Sequence, residues 1–224
     1  MNDPVIPSVG VGVLHLFCKP GPHVDRARLE QGATQARLDE VQVISVLLLG
    51  HKADIAFMLL GRDLRQLRAF QTAVQAAGYL VVDSYLSITE VSEYAKTLPE
   101  EQLRPRLYPE LPPAGKTSWC FYPMSKRRAV GMNWFSLPFE ERKEMMYEHG
   151  LSGRKFAGRI VQLITASAGL DDYEWGVTLF AVNPDDLKDV VYTMRFDRAS
   201  AVYAEFGAFY VGMVTEIDEL VRTV

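Results

Sequence analysis

Hydrophobic residues in the first ninety positions alternate between strand-like runs and helix-like spacing. Apolar, β-branched stretches predict strands at 11–18, 41–49, 53–60 and 79–88. Helices are predicted at 25–39, which is largely polar, and at 63–77, where Leu64, Leu67, Phe70 and Val74 recur at helical spacing. The resulting order, β-α-β-β-α-β, is typical of a ferredoxin-like unit.

The same order of elements recurs after a stretch rich in proline. Prolines at 99, 105, 109, 112 and 113 prevent any long helix in this stretch. Beyond it the pattern predicts strands at 117–124, 159–166, 175–182 and 206–214, and helices at 137–148 and 184–194. We therefore predict an α+β fold in which two fused ferredoxin-like repeats form a dimeric α+β barrel. The repeats would occupy residues 1–90 and 116–224, with a connector at 91–115.

The predicted helix at 137–148 has recognisable boundary signals. Ser136 can cap its start, and Gly150 is expected to end it. His149 would then lie on the last turn, on the same face as Met145 and Met146 because these residues are three or four positions apart.

Four histidines are present in the sequence. His15 falls in a predicted strand, His23 in a loop rich in proline and glycine, and His51 in a predicted turn, so the simplest role of each is structural. The simplest role of His149 is that of a cation favoured by the helix dipole. A role as a metal ligand therefore needs support from other parts of the sequence.

Composition limits the possible partners. The chain has 224 residues, 48% of them hydrophobic, and a net charge of -4, so only a local cluster such as 126–128 could bind an anion and no nucleic-acid partner is expected. Cys18 and Cys120 lie in apolar runs without the spacing of a zinc site, which indicates reduced thiols. No run reaches the roughly 18 apolar residues of a membrane span, so we expect a cytoplasmic protein.

An ordered set of short motifs carries a more specific signal. Residues 120–128 read Cys-Phe-Tyr-Pro-Met-Ser-Lys-Arg-Arg and place a phenol, Tyr122, beside a run of cations. The other motifs are Arg-Leu-Tyr-Pro at 106–109, Asn-Trp at 133–134, Glu-His-Gly at 148–150, Asp-Asp-Tyr-Glu-Trp-Gly-Val at 171–177, Met-Arg-Phe-Asp at 194–197 and Tyr-Ala-Glu-Phe-Gly at 203–207. This set resembles the chlorite dismutase superfamily, and within it the coproheme decarboxylases of actinobacterial haem synthesis. In the first half the resemblance is thinner and rests chiefly on Gly-His-Lys-Ala-Asp at 50–54 and Phe-Met-Leu-Leu at 57–60.

The resemblance implies an enzyme, an oxidoreductase that depends on hydrogen peroxide. Its substrate would be iron coproporphyrin III (coproheme), which is also the redox centre, and its product would be haem b. Two propionates would be converted oxidatively to vinyl groups through a tyrosyl radical, with release of carbon dioxide. The resemblance further implies a homopentamer and a transient contact with the ferrochelatase that supplies coproheme.

Individual roles follow from the positions that match the family's motifs. His149 matches the histidine that binds the iron, and Tyr122 matches the tyrosine that forms the radical. Lys126 matches a lysine beside the propionates, and Gln162 matches the glutamine on the opposite, distal side of the porphyrin. A relative that degrades chlorite would be expected to carry an arginine at the position of Gln162, so this residue argues against chlorite as the substrate.

Six further residues match positions that surround the porphyrin: Arg106, Met124, Trp134, Trp175, Arg195 and Ser200. Coproheme has four propionates, so an apolar slot must be ringed by cations and hydroxyl donors. Packing in the hydrophobic core is an equal alternative for the two tryptophans. The chain departs from the family at Phe135, where a tyrosine is common. It also has no histidine between residues 90 and 121, so a base would have to come from water or a propionate.

Two other classes of function are consistent with the same motifs. One is a chlorite dismutase or haem peroxidase that retains haem b. The other is a haem-binding carrier or sensor without turnover. The phenol of Tyr122 and the ammonium of Lys126 favour the decarboxylase, because neither alternative needs them.

Overall fold

The computed structural model describes residues 3–96 and 98–223. Its strands are β1 (Gly12–Pro20), β2 (Gln42–Leu49), β3 (Ile55–Gly61), β4 (Tyr79–Thr89), β5 (Ser118–Lys126), β6 (Arg128–Ala129), β7 (Met132–Asn133), β8 (Ile160–Ala166), β9 (Trp175–Ala181), β10 (Ala204–Phe206) and β11 (Tyr210–Thr215). Its helices are α1 (Arg26–Leu38), α2 (Leu64–Ala76), α3 (Glu100–Leu107), α4 (Phe139–Arg154), α5 (Pro184–Met194), α6 (Arg198–Ala201) and α7 (Ile217–Thr223). None of the helices in this part of the chain is long and apolar enough to cross a membrane.

The two halves of the chain share one strand order. In the first half the order across the sheet is β2-β3-β1-β4, and in the second half the equivalent order is β8-β9-β5-β11. All neighbours are antiparallel, and β10 extends the edge of β5 beyond β11. Because β4 pairs with β8 and β11 pairs with β2, the eight strands form a closed ring. The predicted barrel of two ferredoxin-like repeats is confirmed.

The two halves meet at two strand pairs, called joints below, and these joints differ in length. Strand β11 pairs with β2 from Val211 to Thr215, whereas β4 pairs with β8 only at Ile88 and Thr89. The short joint lies where the chain leaves β4 and enters the connector. It is also beside β8, the strand that carries Gln162.

Alternating side chains of the strands separate the interior of the barrel from two outer layers. Trp119 and Phe121 on β5 point into the barrel, where they pack with residues such as Phe17 and Phe180. Cys120 and Tyr122 therefore point outward, towards the helices of the second half. The outer layer of the first half is covered by α1, α2 and α7.

His15 is a buried polar residue inside the barrel. Its Nε2 lies 3.1 Å from the hydroxyl of Thr178, and its ring centroid is 4.1 Å from that of Phe121. Burial lowers the pKa of His15 from 6.5 to about 3. The folded protein therefore holds a neutral imidazole at this position throughout the physiological pH range, which is consistent with packing inside the barrel.

We expect acid to weaken the fold through His15. The unfolded chain takes up a proton near pH 6.5 and the folded chain only near pH 3, so the free energy of unfolding should fall as the pH drops through this window. The loss contributed by His15 is at most about 1.4 kcal/mol per pH unit. Urea unfolding of the wild type and His15→Gln at pH 7, 6 and 5 measures it. Equal pH slopes for the two proteins would contradict this expectation.

The structure corrects three predictions in the second half. Helix α4 continues through Gly150 to Arg154, so His149 is not on its last turn, and the prediction that Gly150 ends the helix is wrong. Ser136 does not cap α4, because its hydroxyl donates to the carbonyl of Asn133 in a preceding 3-10 turn. The predicted strand at 206–214 is divided into β10 and β11, and residues 207–209 between them belong to neither strand.

Candidate functional site

Four of the predicted site residues share the outward face of the second sheet. The register places side chains in rows that cross β5, β9 and β8. The rows are Cys120, Leu179 and Gln162; Tyr122, Val177 and Ile164; and Met124, Trp175 and Ala166. Tyr122, Met124, Gln162 and Trp175 therefore lie on one continuous surface, as a site on this face requires.

This surface is covered at one side and open at the other. Over β5, helix α5 packs Leu187 and Val190 into the same cluster as Tyr122, which is only 7% exposed. Over β8, Gln162 is exposed and Ile164 is 43% exposed. A flat ligand can thus reach the face at β8 while Tyr122 stays shielded from water.

Tyr122 lies among aromatic rings. Its ring stacks on Phe209 with 4.4 Å between the centroids, and the edge of Phe206 approaches it at 5.6 Å. The guanidinium of Arg195 lies 5.0 Å from the ring centroid of Phe206. Burial raises the pKa of Tyr122, with a smaller contribution from Cys120, while Arg195 acts in the opposite direction. The phenol therefore keeps its O–H at neutral pH.

His149 is held by a buried carboxylate. Its Nδ1 lies 3.1 Å from Oδ2 of Asp197, and Oδ1 of Asp197 accepts a hydrogen bond of 2.8 Å from the hydroxyl of Ser152. Burial lowers the pKa of His149, the charge of Lys126 lowers it further, and Asp197 opposes both. An ionised carboxylate only accepts hydrogen bonds, so Nδ1 carries the proton. Nε2 makes no hydrogen bond to the residues that the structure describes, which leaves it available as a ligand.

Lys126 lies near His149, and both contact residues in or next to α6. Its ammonium donates a hydrogen bond of 2.5 Å to the carbonyl of Ala199 and lies 4.5 Å from the ring centroid of Trp134. Burial lowers the pKa of Lys126 to about 8, while Glu174 acts in the opposite direction. A nearby carboxylate would favour the charged form of this ammonium.

The structure brings most of the predicted residues into two adjacent groups. The group around α6 contains His149, Lys126, Trp134 and Ser200, and the hydroxyl of Ser200 lies 3.5 Å from Nδ1 of His149. The group on the sheet contains the four residues described above together with Arg195, which approaches Tyr122 through Phe206.

Arg106 stands apart from both groups. It is exposed on α3, whose last residue, Leu107, accepts a hydrogen bond from Thr89. In the described ranges it has no hydrogen bond or ion pair with either group. The predicted contact of Arg106 with a ligand carboxylate therefore stays a prediction.

Sequence reasoning missed Asp197 and Ser152. Asp197 ends the Met-Arg-Phe-Asp motif, so its position was noticed, but no role followed because its partner is 48 residues away along the chain. Ser152 lies on the part of α4 that was predicted to be outside the helix. The carboxylate of Asp197, which lies inside a recognised motif without an assigned role, was the signal that could have revealed the partner of His149.

The fold is a closed α+β barrel, and the candidate site combines the imidazole of His149 beside α6 with the outward face of the second sheet. Residues 26–215 match the model of the chlorite dismutase family, and the chain belongs to that family. The family inferred from the motifs is thus confirmed.

Individual relatives are similar over most of this chain. The coproheme decarboxylase of Staphylococcus carnosus is 47% identical over 181 residues, which cover 76% of this chain and 72% of that protein. A protein of Natronomonas pharaonis is 44% identical over 214 residues, 88% of this chain, but the chain spans only 34% of its length. The solved structure of a haem-binding protein from Thermus thermophilus is 33% identical, with a TM-score of 0.87 over 100% of this chain and 99% of that one.

Proposed function

We propose that this protein is a coproheme decarboxylase. It uses hydrogen peroxide to convert two propionates of coproheme to vinyl groups and yields haem b and carbon dioxide. One observation carries the proposal. The buried phenol of Tyr122 lies on β5, and Lys126, with its ammonium group, is the last residue of the same strand. The named decarboxylases that share 45–47% identity with the chain support it.

The residues present fit an iron porphyrin. His149 offers one neutral imidazole with a fixed tautomer, which is how haem iron is commonly held. The described part of the chain has no cluster of three His, Cys, Asp or Glu side chains that could hold a metal ion. A metal at His149 would therefore need other ligands of its own, and a porphyrin provides four. When bound, this group supplies the iron centre that peroxide can oxidise.

The chemistry assigned to Tyr122 is hydrogen-atom transfer. Each conversion removes carbon dioxide, one β-carbon proton and two electrons from a propionate. One hydrogen peroxide takes up these two electrons, that proton and one proton from solvent and becomes two waters. The phenol first gives up its O–H hydrogen as an electron and a proton. The resulting phenoxyl radical then takes a hydrogen atom from the β-carbon, which restores the phenol. The second electron would pass from the carbon radical to the oxidised centre in the site as the C–C bond to the carboxylate breaks and carbon dioxide leaves. Burial suits this role because the O–H is retained at neutral pH and water is excluded from the radical.

Lys126 is the carboxylate-binding residue in this proposal. Its ammonium is nearly buried between Trp134 and the carbonyl of Ala199, so a propionate beside it would form a charge-assisted hydrogen bond. A bound propionate would also keep Lys126 protonated above the pKa of about 8 that burial imposes. Arg195, Arg106 and Ser200 are the further donors for the remaining propionates.

Gln162 sets the distal side of the proposed site. It is exposed on β8 in the same sheet face as Tyr122, and its amide carries no charge. A relative that degrades chlorite would be expected to carry an arginine here. The neutral amide of Gln162 cannot provide that positive charge. Met124, Trp134 and Trp175 complete the apolar surroundings in this proposal.

Mass spectrometry of the porphyrin tests the proposed reaction. We expect the protein loaded with coproheme to lose two carboxyl groups in sequence as peroxide is added, ending at the mass of haem b. In a parallel experiment, the protein loaded with haem b should release little oxygen from chlorite on an oxygen electrode. Rapid, sustained oxygen release with an unchanged coproheme mass would instead identify a chlorite dismutase.

Asp197 should control the strength of the bond between His149 and iron. In Asp197→Asn the amide oxygen is a weaker acceptor for Nδ1–H, so the imidazole becomes a poorer donor to the metal. We expect the iron–histidine stretching band of the ferrous complex to move to lower frequency in resonance Raman spectra. Asp189→Asn on the exposed side of α5 is the control and should leave the band in place. An unshifted band in Asp197→Asn contradicts the expectation.

The cellular setting is part of the same proposal. We expect a cytoplasmic homopentamer that receives coproheme from ferrochelatase through a transient contact. Sedimentation of the purified protein tests the assembly. Faster transfer of coproheme from ferrochelatase to this protein than to an unrelated haem-binding protein would support the contact.

A further inference from the structure

The turn between β2 and β3 carries a charged motif that the proposed function does not use. Gly50 starts it at a φ of 100°, a conformation that glycine adopts without strain. The next two residues, His51 and Lys52, are exposed, so packing of the core does not require them. Lys52 nevertheless has a partner in the second half of the chain.

That partner is the backbone of Phe209. The ammonium of Lys52 donates a hydrogen bond of 2.5 Å to the carbonyl of Phe209 and lies 5.5 Å from the ring centroid of Tyr210. Phe209 lies in the gap between β10 and β11, in a segment that belongs to no strand. The amide of Gly207 holds the start of this segment to the carbonyl of Pro123 on β5, and the contact with Lys52 ties its other end to the rim of the first half.

Phe209 in turn packs on the proposed radical site. Its ring stacks on Tyr122 with 22° between the planes. The backbone of Tyr122 is fixed by its pairing with Val177 on β9, so the remaining freedom of the phenol is rotation of its side chain. The stacked ring of Phe209 and the edge of Phe206 restrict that rotation and therefore the direction of the O–H.

We propose that Lys52 is a positioning residue for Tyr122. It holds the carbonyl of Phe209 and thereby the ring that orients the phenol. This inference rests on the radical role proposed for Tyr122. Because Lys52 acts through Phe209, its loss should slow hydrogen transfer and leave the affinity for coproheme unchanged. This role would also explain why the motif at 50–54, in the first half of the chain, matters for Tyr122 in the second half.

Three variants isolate this effect. Lys52→Met removes the hydrogen bond, Lys52→Arg keeps a donor, and Phe209→Leu removes the stacked ring itself. Lys19→Met is the matched control, because the ammonium of Lys19 donates a hydrogen bond of 2.7 Å to the carbonyl of His51 in the same turn and does not contact Phe209. Each protein is loaded with coproheme, mixed with peroxide and frozen rapidly for electron paramagnetic resonance. The dissociation constant of coproheme and kcat are measured in parallel.

The hyperfine pattern of a tyrosyl radical depends on the angle between its ring and the Cβ hydrogens, so it reports side-chain orientation directly. We expect Lys52→Met and Phe209→Leu to change this pattern and to lower kcat about tenfold, because small misplacements of reacting groups are costly. The coproheme dissociation constant should stay within about twofold for Lys52→Met, since no reacting contact is lost. Lys52→Arg and Lys19→Met should resemble the wild type.

The possible failures are distinguishable. A wild-type radical signal that disappears in Tyr122→Phe but is unaltered in Lys52→Met would overturn the positioning role alone. So would an equal loss of kcat in Lys52→Met and Lys19→Met without a spectral change, because that pattern indicates a general effect of the turn. A wild-type protein that forms no Tyr122-dependent radical would overturn the proposed function and this inference with it.

Discussion

Replacement of Tyr122 by Phe is expected to abolish the conversion of coproheme while the complex still forms. Phe preserves the ring and its stacking on Phe209, so the protein should fold with a stability close to that of the wild type. The variant has no O–H hydrogen to give up, and therefore cannot form the neutral radical. Porphyrin masses followed in time after addition of peroxide should show no loss of carboxyl groups.

A matched control for this variant is Tyr147→Phe. Tyr147 lies on α4 near His149 and is 63% exposed, so the same chemical change is made outside the aromatic cluster. This control should decarboxylate coproheme at the wild-type rate. Wild-type loss of both carboxyl groups in Tyr122→Phe would refute the radical role. The radical would then have to be sought at one of the other oxidisable side chains: Tyr147, Tyr173, Trp134 or Trp175.

Loss of the imidazole in His149→Ala is expected to have the largest effect on binding. Replacing residues that merely orient a metal ligand commonly lowers metal affinity about 10–100-fold, so removal of the ligand itself should cost more than about 100-fold. The absorption spectrum of the remaining complex should also change, because the iron loses its protein ligand. Titration of coproheme followed by visible absorption measures both effects.

Imidazole in solution provides a rescue experiment for His149→Ala. The cavity left by the side chain lies beside Asp197, which can hold an added imidazole through the same hydrogen bond. We expect partial recovery of the wild-type spectrum. His51→Ala, in the exposed turn between β2 and β3, should bind coproheme normally. If His149→Ala matched the wild type in spectrum and turnover, the iron would have to be bound elsewhere.

Local patterns account for most of the elements that could be predicted from the sequence. Asp25 and Asp63 accept hydrogen bonds at the starts of α1 and α2, close to the predicted boundaries at 25 and 63. The strands of both halves have continuous or alternating apolar runs because one or both of their faces are buried. The repeated β-α-β-β-α-β order then indicated a closed barrel.

Long-range contacts explain the errors. Gly150 is a helix-ending residue by local rules, but α4 continues because Ser152 is bonded to Asp197 and Phe156 is buried under the second sheet. No local pattern reveals either contact. Likewise, the shared sheet face of Tyr122 and Gln162 follows from strand register, which separates these residues by only one strand although they are far apart in sequence.

The unequal joints of the barrel have a consequence for its motion. The backbone pairing of β4 with β8 covers Ile88 and Thr89, and nearby the amide of Leu86 donates to the carboxylate of Asp171, whereas β11 and β2 pair over five residue pairs. Fewer backbone hydrogen bonds mean a smaller free energy of local opening. Thermal fluctuations should therefore separate β4 from β8 before they separate β11 from β2. The longer pairing of β11 with β2 would then act as the hinge. This places the most easily opened wall beside the strand that carries Gln162.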